Sequence, residues 1–460
     1  MIHHFLYGSF ANGGRAISDD TSFAPPSAPE DNSELAQARR LLDKGQLEQC
    51  RTVIANYWLQ NPYEQGAVML FSDLVKALGR EEVAAKLDNF AAKLSGSLSP
   101  YKHHQEIFEA GYALVEICQH ELAAMLLKEL QRELPDDPLV NYELGFSLMS
   151  LKRFKEARKY FALAVNAKED FDAMLNLCVC ETLERNLEGA RRLITELTPL
   201  AQSEEEKLEL AHRKIVLARL ESLGSKKQLN SRDWLYALYG SILLRPGLKS
   251  LKSFAPASGK TEAAELKDDV SQVASMLVIL RGLLTGLALE TEGVEYYSLR
   301  SRPISNALSQ LMEVDYDAYR GPDRPDQVIL LMCWTTDILG PHAAFIENSM
   351  KRSLFAYGLS PVAPLPIVPD IIGCLAYDVV MPWESKHQEP SNKDIASITE
   401  QIYARACDLE SDPTLLRETQ EAVDYYLEKR HLLVLNNPEA FPNRPEYTAE
   451  LPELPDAPEI

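Results

Sequence analysis

The sequence predicts a mostly helical chain in two parts: an α-α superhelix built from helical repeats, then an α/β domain with a mainly parallel sheet. Three observations carry that prediction. Small residues recur at a near-constant spacing through the first half: Gly111 and Gly145 are 34 apart, as are Ala123 and Ala157, and Cys50 and Ala84. In the second half, apolar runs with strand character alternate with helical ones between residues 294 and 360. The composition, 46% hydrophobic and 25% charged over 460 residues, is that of an ordinary soluble protein long enough for several domains.

The chain opens with a polar, Pro-containing stretch, "SDDTSFAPPSAPEDNS" at 18–33, so residues 1–30 read as a flexible arm. Its first twenty residues lack a basic region followed by a long apolar core, and therefore do not resemble a secretory signal. From Asp31 the repeat begins. The clearest copy, "YELGFSLMSLKRFKEARKYFALAVNAKED" (142–170), reads as two helices joined at Lys152-Arg153, with Gly145, Ala157 and Ala164 where the helices would touch. The copy before it offers Ala110, Gly111, Ala123, Leu127 and Pro135, and the copy after it Leu177, Cys178, Ala190 and Ile194. A first copy offers Ala38, Cys50, Ile54 and Pro62. A second, degenerate one keeps Ser72, Ala84 and Ala91 but has Asp88 where a large apolar residue is expected, and an insertion near "SGSLSP" follows it. The segment 204–222 reads as a capping helix.

A period near 34 with small residues at paired positions resembles the tetratricopeptide (TPR) repeat, over about residues 31–222. That resemblance implies stacked hairpins bent into a superhelix, with a groove lined by the first helix of each copy. Carried onto this sequence, the groove positions are Phe108, Tyr112, Leu139, Tyr142, Phe146, Met149, Leu175 and Val179. The implied surface is apolar and aromatic. It lacks the Lys, Arg and Asn set with which some members clamp a terminal carboxylate, so the implied partner is a protein presenting an apolar or amphipathic segment. The other reading of these residues is that they pack against neighbouring repeats or the second half of the chain.

The repeats end at about 223, and "LGSKKQLNS" is a polar linker into an α/β domain at 224–390. "RDWLYALYGSILLRPG" reads as a helix entering a strand at Ser241–Leu244. "SGKT" at 258–261 is not a phosphate-binding loop, because Phe254 stands where the first Gly of that pattern belongs. A long helix is expected over 261–289; Arg281 and flanking acids make it a buried helix rather than a membrane span. Strands are expected at 294–299 and 327–336, helices from Pro303 and within 337–358, and a further strand at 371–381 bent at Gly373. Two helices split at Asp412-Pro413 follow in 391–435, and an acidic, Pro-rich tail closes the chain at 436–460.

Ligands in such sheets sit beyond the carboxyl ends of the strands. Two loops there could carry chemistry. Arg300, Ser301, Arg302 and Ser305 at a helix start could hold an anion such as a phosphate-bearing ligand. Thr335, Thr336, Asp337 and His342 could support acid–base work, or be plain caps and surface residues. A net charge of −21 argues against a nucleic-acid partner and an anionic membrane. Seven scattered cysteines without a CxxC pair suit a reducing, cytoplasmic compartment. The leading expectation is a protein-interaction module or scaffold with no cofactor and no metal; an enzyme or sensor built on the Arg300–Ser305 loop is the alternative.

Overall fold

The computed structural model describes residues 34–94, 103–245, 266–267, 269–321, 327–338, 352–360, 367–376, 379–384 and 392–436. They divide into two compact units, with the boundary between Lys214 and Ile215, inside one long helix.

The first unit is an array of helical hairpins. The pairs are α1 (Glu34–Asp43) with α2 (Leu47–Gln60), α3 (Gln65–Ala77) with α4 (Glu81–Leu94), and α5 (His104–Glu116) with α6 (His120–Glu133). Next come α7 (Pro138–Ser150) with α8 (Phe154–Ala167), α9 (Phe171–Leu183) with α10 (Leu187–Leu197), and then α11 (Glu204–Ser222). Each hairpin packs on the next.

The small residues hold the hairpins close. In each pair, two positions twelve residues apart face each other. Cys50 Sγ donates to the Ala38 carbonyl at 3.2 Å, Ser72 Oγ to that of Ala84 at 3.0 Å, and Cys178 Sγ to that of Ala190 at 3.8 Å. In the third and fourth pairs a glycine holds the equivalent position: Gly111 lies under Leu127 and Gly145 under the Phe161 ring, where an added Cβ would come within 2.9 Å and 3.0 Å respectively. A larger side chain would push the helices apart, which is why the spacing is visible in sequence. The turns repeat more strictly than the sequence does. Gly45, Gly79, Cys118, Lys152 and Arg185 occupy equivalent turn positions, and all five have φ between 57° and 74°. Two of them are glycine, for which that region carries no Cβ penalty; three are not. Caps set the starts: Asp137 accepts from Leu139 N and Val140 N ahead of Pro138, and Asp170 accepts from Ala173 N.

The second unit is a parallel sheet with helices. Its strands are β1 (Ile242–Leu243), β3 (Gly293–Tyr296), β4 (Asp315–Ala318), β5 (Val328–Trp334), β6 (Arg352–Leu359) and β7 (Ile371–Leu375). They run in the order β1-β7-β6-β5-β3-β4, with every pairing parallel. A separate ribbon joins β2 (Leu266–Lys267) to β8 (Val379–Val380). The helices are α12 (Ser231–Tyr239), α13 (Val270–Gly286), α14 (Arg302–Met312), α15 (Asn392–Leu409) and α16 (Pro413–Leu427). The last two pack on α13 and α14 within the same compact unit. Tyr426 of α16 also accepts a hydrogen bond from Leu243 N of β1 at 2.8 Å.

β5 is central and buried along its whole length, as a continuous apolar run in a sheet covered on both faces should be. Three expectations change. Residues 352–359, read as the end of a helix, form β6: Leu354 and Ala356 join one core face while Phe355 and Tyr357 are buried too, so no alternation marks the strand. β4, "DYDA", was not foreseen because it is a short, partly exposed edge strand of polar composition. Gly373 lies mid-strand in β7 rather than at a bend; an added Cβ would come within 2.4 Å of the Tyr357 carbonyl oxygen, so glycine permits the close approach of β7 and β6. The "SGKT" segment, His342 and the acidic tail lie outside the described residues.

Candidate functional site

In the first unit, the repeat positions carried over from the family fall on one side of α5, α7 and α9. Seven of the eight residues are half-buried and Leu139 is 62% exposed; none is sealed in the core. Phe108 and Tyr112 stack at 6.3 Å along α5. Tyr142 meets the Phe161 ring edge-on at 5.8 Å and its hydroxyl accepts from Asn176 Nδ2 at 3.3 Å. Phe146 meets the His120 ring edge-on at 6.0 Å. Ring contacts of this kind fix aromatic groups in orientation, and all four side chains keep part of their surface exposed. Met149, Leu175 and Val179 complete the wall from α7 and α9.

The wall is not purely apolar. Glu116 ends α5, Glu143 lies on α7, and the charges of both bear on the Tyr112 phenol. Lys86 Nζ pairs with Glu116 at 2.9 Å and lies 5.1 Å from the centre of the Tyr112 ring. Burial pushes the Glu143 carboxyl up to about 7, with the Glu116 charge adding to the effect. Burial also raises the Tyr142 phenol, followed by the charges of Asp172, Glu143 and Asp170. It pulls the His120 imidazole down to about 4. The carboxylates were not singled out in the sequence because they fall between the family's groove positions. Met69, 49% exposed, occupies in α3 the place that Phe108, Tyr142 and Leu175 hold in later copies, and the degenerate second copy hid it. Toward the amino-terminal copies the same face turns polar, with Arg39 bridging to Asp73 at 2.8 Å and Lys76 to Asp88 at 2.7 Å.

In the second unit, leaving β1 aside, the strand order reverses between β3 and β5, and the two loops singled out in sequence meet at their carboxyl ends. Arg300 Nη1 lies 3.2 Å from Asp337 Oδ1. Glu384, which the sequence did not suggest, takes the other side of the guanidinium, with Arg300 Nη2 at 3.1 Å from its Oε2. The Arg300 carbonyl accepts from Trp383 Nε1 at 3.0 Å and from the Cys333 thiol at 3.4 Å. Burial opposes the Arg300 charge, but Glu384, Cys333 and Asp337 outweigh it and raise its pKa. Asp337 is raised by burial, with Arg300 working the other way. Arg302 turns away: its Nε donates to the Tyr316 hydroxyl at 3.2 Å and it lies over the Tyr296 ring. Ser301 and Ser305 are buried, and their hydroxyls donate to the carbonyls of Ser298 and Ser301 at 3.1 Å and 3.0 Å. An anion arriving at Arg300 would have to displace a carboxylate, and the two arginines do not converge on one point.

Among the described residues, no group of three or more His, Cys, Asp or Glu side chains is placed to hold a metal ion. No described helix is long and apolar enough to cross a membrane. None of the seven cysteines forms a disulfide.

No family model matches the chain, and no curated protein matches it. Solved structures that resemble it include MamA from Desulfovibrio magneticus RS-1, at 18% identity over 37% of this chain and 96% of that one, with a TM-score of 0.24. PilF of Pseudomonas aeruginosa is similar at 17% identity over 49% of this chain and 91% of that one, with a TM-score of 0.27. Likeness at that level carries no argument about what this chain does.

Proposed function

We propose that this chain is a protein-interaction module of the tetratricopeptide-repeat type. A partner polypeptide docks on the wall of α5, α7 and α9 through an apolar or amphipathic segment. The observation that carries the reading is the set of aromatic and aliphatic side chains from Phe108 to Val179, oriented by ring contacts yet left partly open. A buried anchor surrounded by a more polar rim is how such surfaces concentrate binding energy. The alternative, an anionic ligand at the Arg300 loop, recedes because that guanidinium is matched by Asp337 and Glu384. The net charge of −21 opposes nucleic acid as the partner, and seven thiols suit work in the cytoplasm.

A photo-reactive residue placed at Leu139 of the full chain tests this. In cells it should cross-link a defined polypeptide, and the cross-link should fall at least about tenfold in Tyr142→Ala/Phe146→Ala, the loss expected of two central anchors. The same probe at exposed Glu205 should capture nothing comparable. Equal capture at both places, or capture unaffected by the double variant, would remove the proposal.

A further inference from the structure

Among the charged groups of the wall, Glu143 is singular in its surroundings. Its side chain is half-buried and makes no hydrogen bond or ion pair with any described residue, whereas Glu116 beside it is held by Lys86. The groups around it are Glu116 and Tyr112 of α5, backed by Lys86 of α4, and Tyr142 of its own helix, which in turn faces Asn176 and Asp172 of α9. A carboxylate partly withdrawn from water beside a second acid gains from an arriving cation. Beside it are aromatic faces of the kind that attract ammonium and guanidinium groups, and Lys86 over Tyr112 already shows such a contact.

We propose that the occupant of this wall is a basic amphipathic segment, whose Lys or Arg meets Glu143 while its apolar side chains cover Phe108, Tyr112, Tyr142 and Phe146. This rests on the docking role proposed above and specifies the chemistry of the partner. Charge complementarity chooses that occupant over an acidic or neutral one: Glu116, Glu143 and Asp172 all bear on the phenols of the wall, and the chain as a whole carries −21. The carboxyl of Glu143, poised at about 7, adds a signature. An arriving cation lowers its pKa and expels its proton, so binding tightens as pH rises from about 6 to about 8 and releases protons near neutrality.

The probes are two synthetic helices of about fourteen residues with one leucine stripe, carrying lysine or glutamate at the polar positions. Binding to the full-length protein is followed by calorimetry in buffers of different ionisation enthalpy. The lysine peptide should bind, should release protons at pH 7, and should weaken about tenfold in Glu143→Gln. A matched loss of one charge at a distant exposed position, Glu205→Gln, should change affinity less than about twofold by long-range attraction. Glu143→Gln keeps the size of the side chain, and the circular dichroism and melting temperature of the variant separate lost binding from a lost fold. If Glu143→Gln and Glu205→Gln weaken the lysine peptide equally, or no protons are released, the assignment to Glu143 fails. If the glutamate peptide binds instead and depends on Tyr142 and Phe146, the basic partner is wrong and the docking wall stands. If neither peptide needs Tyr142 and Phe146, or neither binds, both proposals fall.

Discussion

At the scale of single residues, backbone conformation and side-chain identity part company in the hairpin turns. Cys118, Lys152 and Arg185 adopt the left-handed conformation that Gly45 and Gly79 adopt in the first two copies. Steric contact between Cβ and the following carbonyl makes that conformation unfavourable for the three by about 1–2 kcal/mol. Cys118 is exposed. Replacing it with glycine should therefore stabilise the protein by about 0.5–1 kcal/mol, once the greater freedom of an unfolded glycine is set against the relief. Urea unfolding measures this, with Gly79→Ala as the opposite change; a less stable Cys118→Gly would contradict the turn geometry. The repeat was legible in sequence at Gly145 and Ala157 because contact tolerates only small side chains there. The turn was legible at Lys152-Arg153, but its shared left-handed conformation in all five copies was not, because dihedral angles do not oblige the chain to use glycine.

At the scale of elements, the parallel sheet encloses a buried ion pair. Arg352 at the start of β6 reaches across β5 to Glu295 of β3, with Nε 2.8 Å from Oε2, and both side chains are at most 2% exposed. The guanidinium also donates to the Gly321 carbonyl at 2.9 Å and lies over the Tyr319 ring. Removing one partner strands the other charge in the core. Arg352→Met should cost about 3–5 kcal/mol, and Arg352→Met/Glu295→Leu should recover much of that loss. Thermal unfolding of both variants checks this; a double variant no better than the single would show that the pair itself is not what the single change breaks. β5 could be read from its apolar run, and α14 from the Pro303 start. β6 was mistaken for helix because a strand buried on both faces shows neither period. Both loops were expected beyond the carboxyl ends of strands, but not that Arg300 meets Asp337, nor that Glu384 and Trp383, more than eighty residues after Arg300, join them.

At the scale of the whole molecule, charge dominates. The chain has 68 acidic and 47 basic side chains, so 68 − 47 = 21 acids remain even if every Lys and Arg is paired. Exposed pairs such as Arg39–Asp73 contribute little, while the surplus repels itself. Raising salt from about 20 mM to about 300 mM should therefore increase the melting temperature by about 2–4 °C, corresponding to roughly 1 kcal/mol of relieved repulsion. A fall in melting temperature over that range would show that specific ion pairs outweigh the net charge. By itself the sequence determined the helical hairpins, their spacing and the parallel character of the sheet. These follow from local periodicity and from close contacts that recur at fixed intervals along the chain. Only the tertiary structure decided that, among the described residues, Glu116 pairs with a cation and Glu143 does not, that Arg300 is held by two carboxylates, and that Gly373 serves a strand contact. Each of those depends on which distant residue arrives beside the group, and desolvation and pairing are properties of neighbours in space.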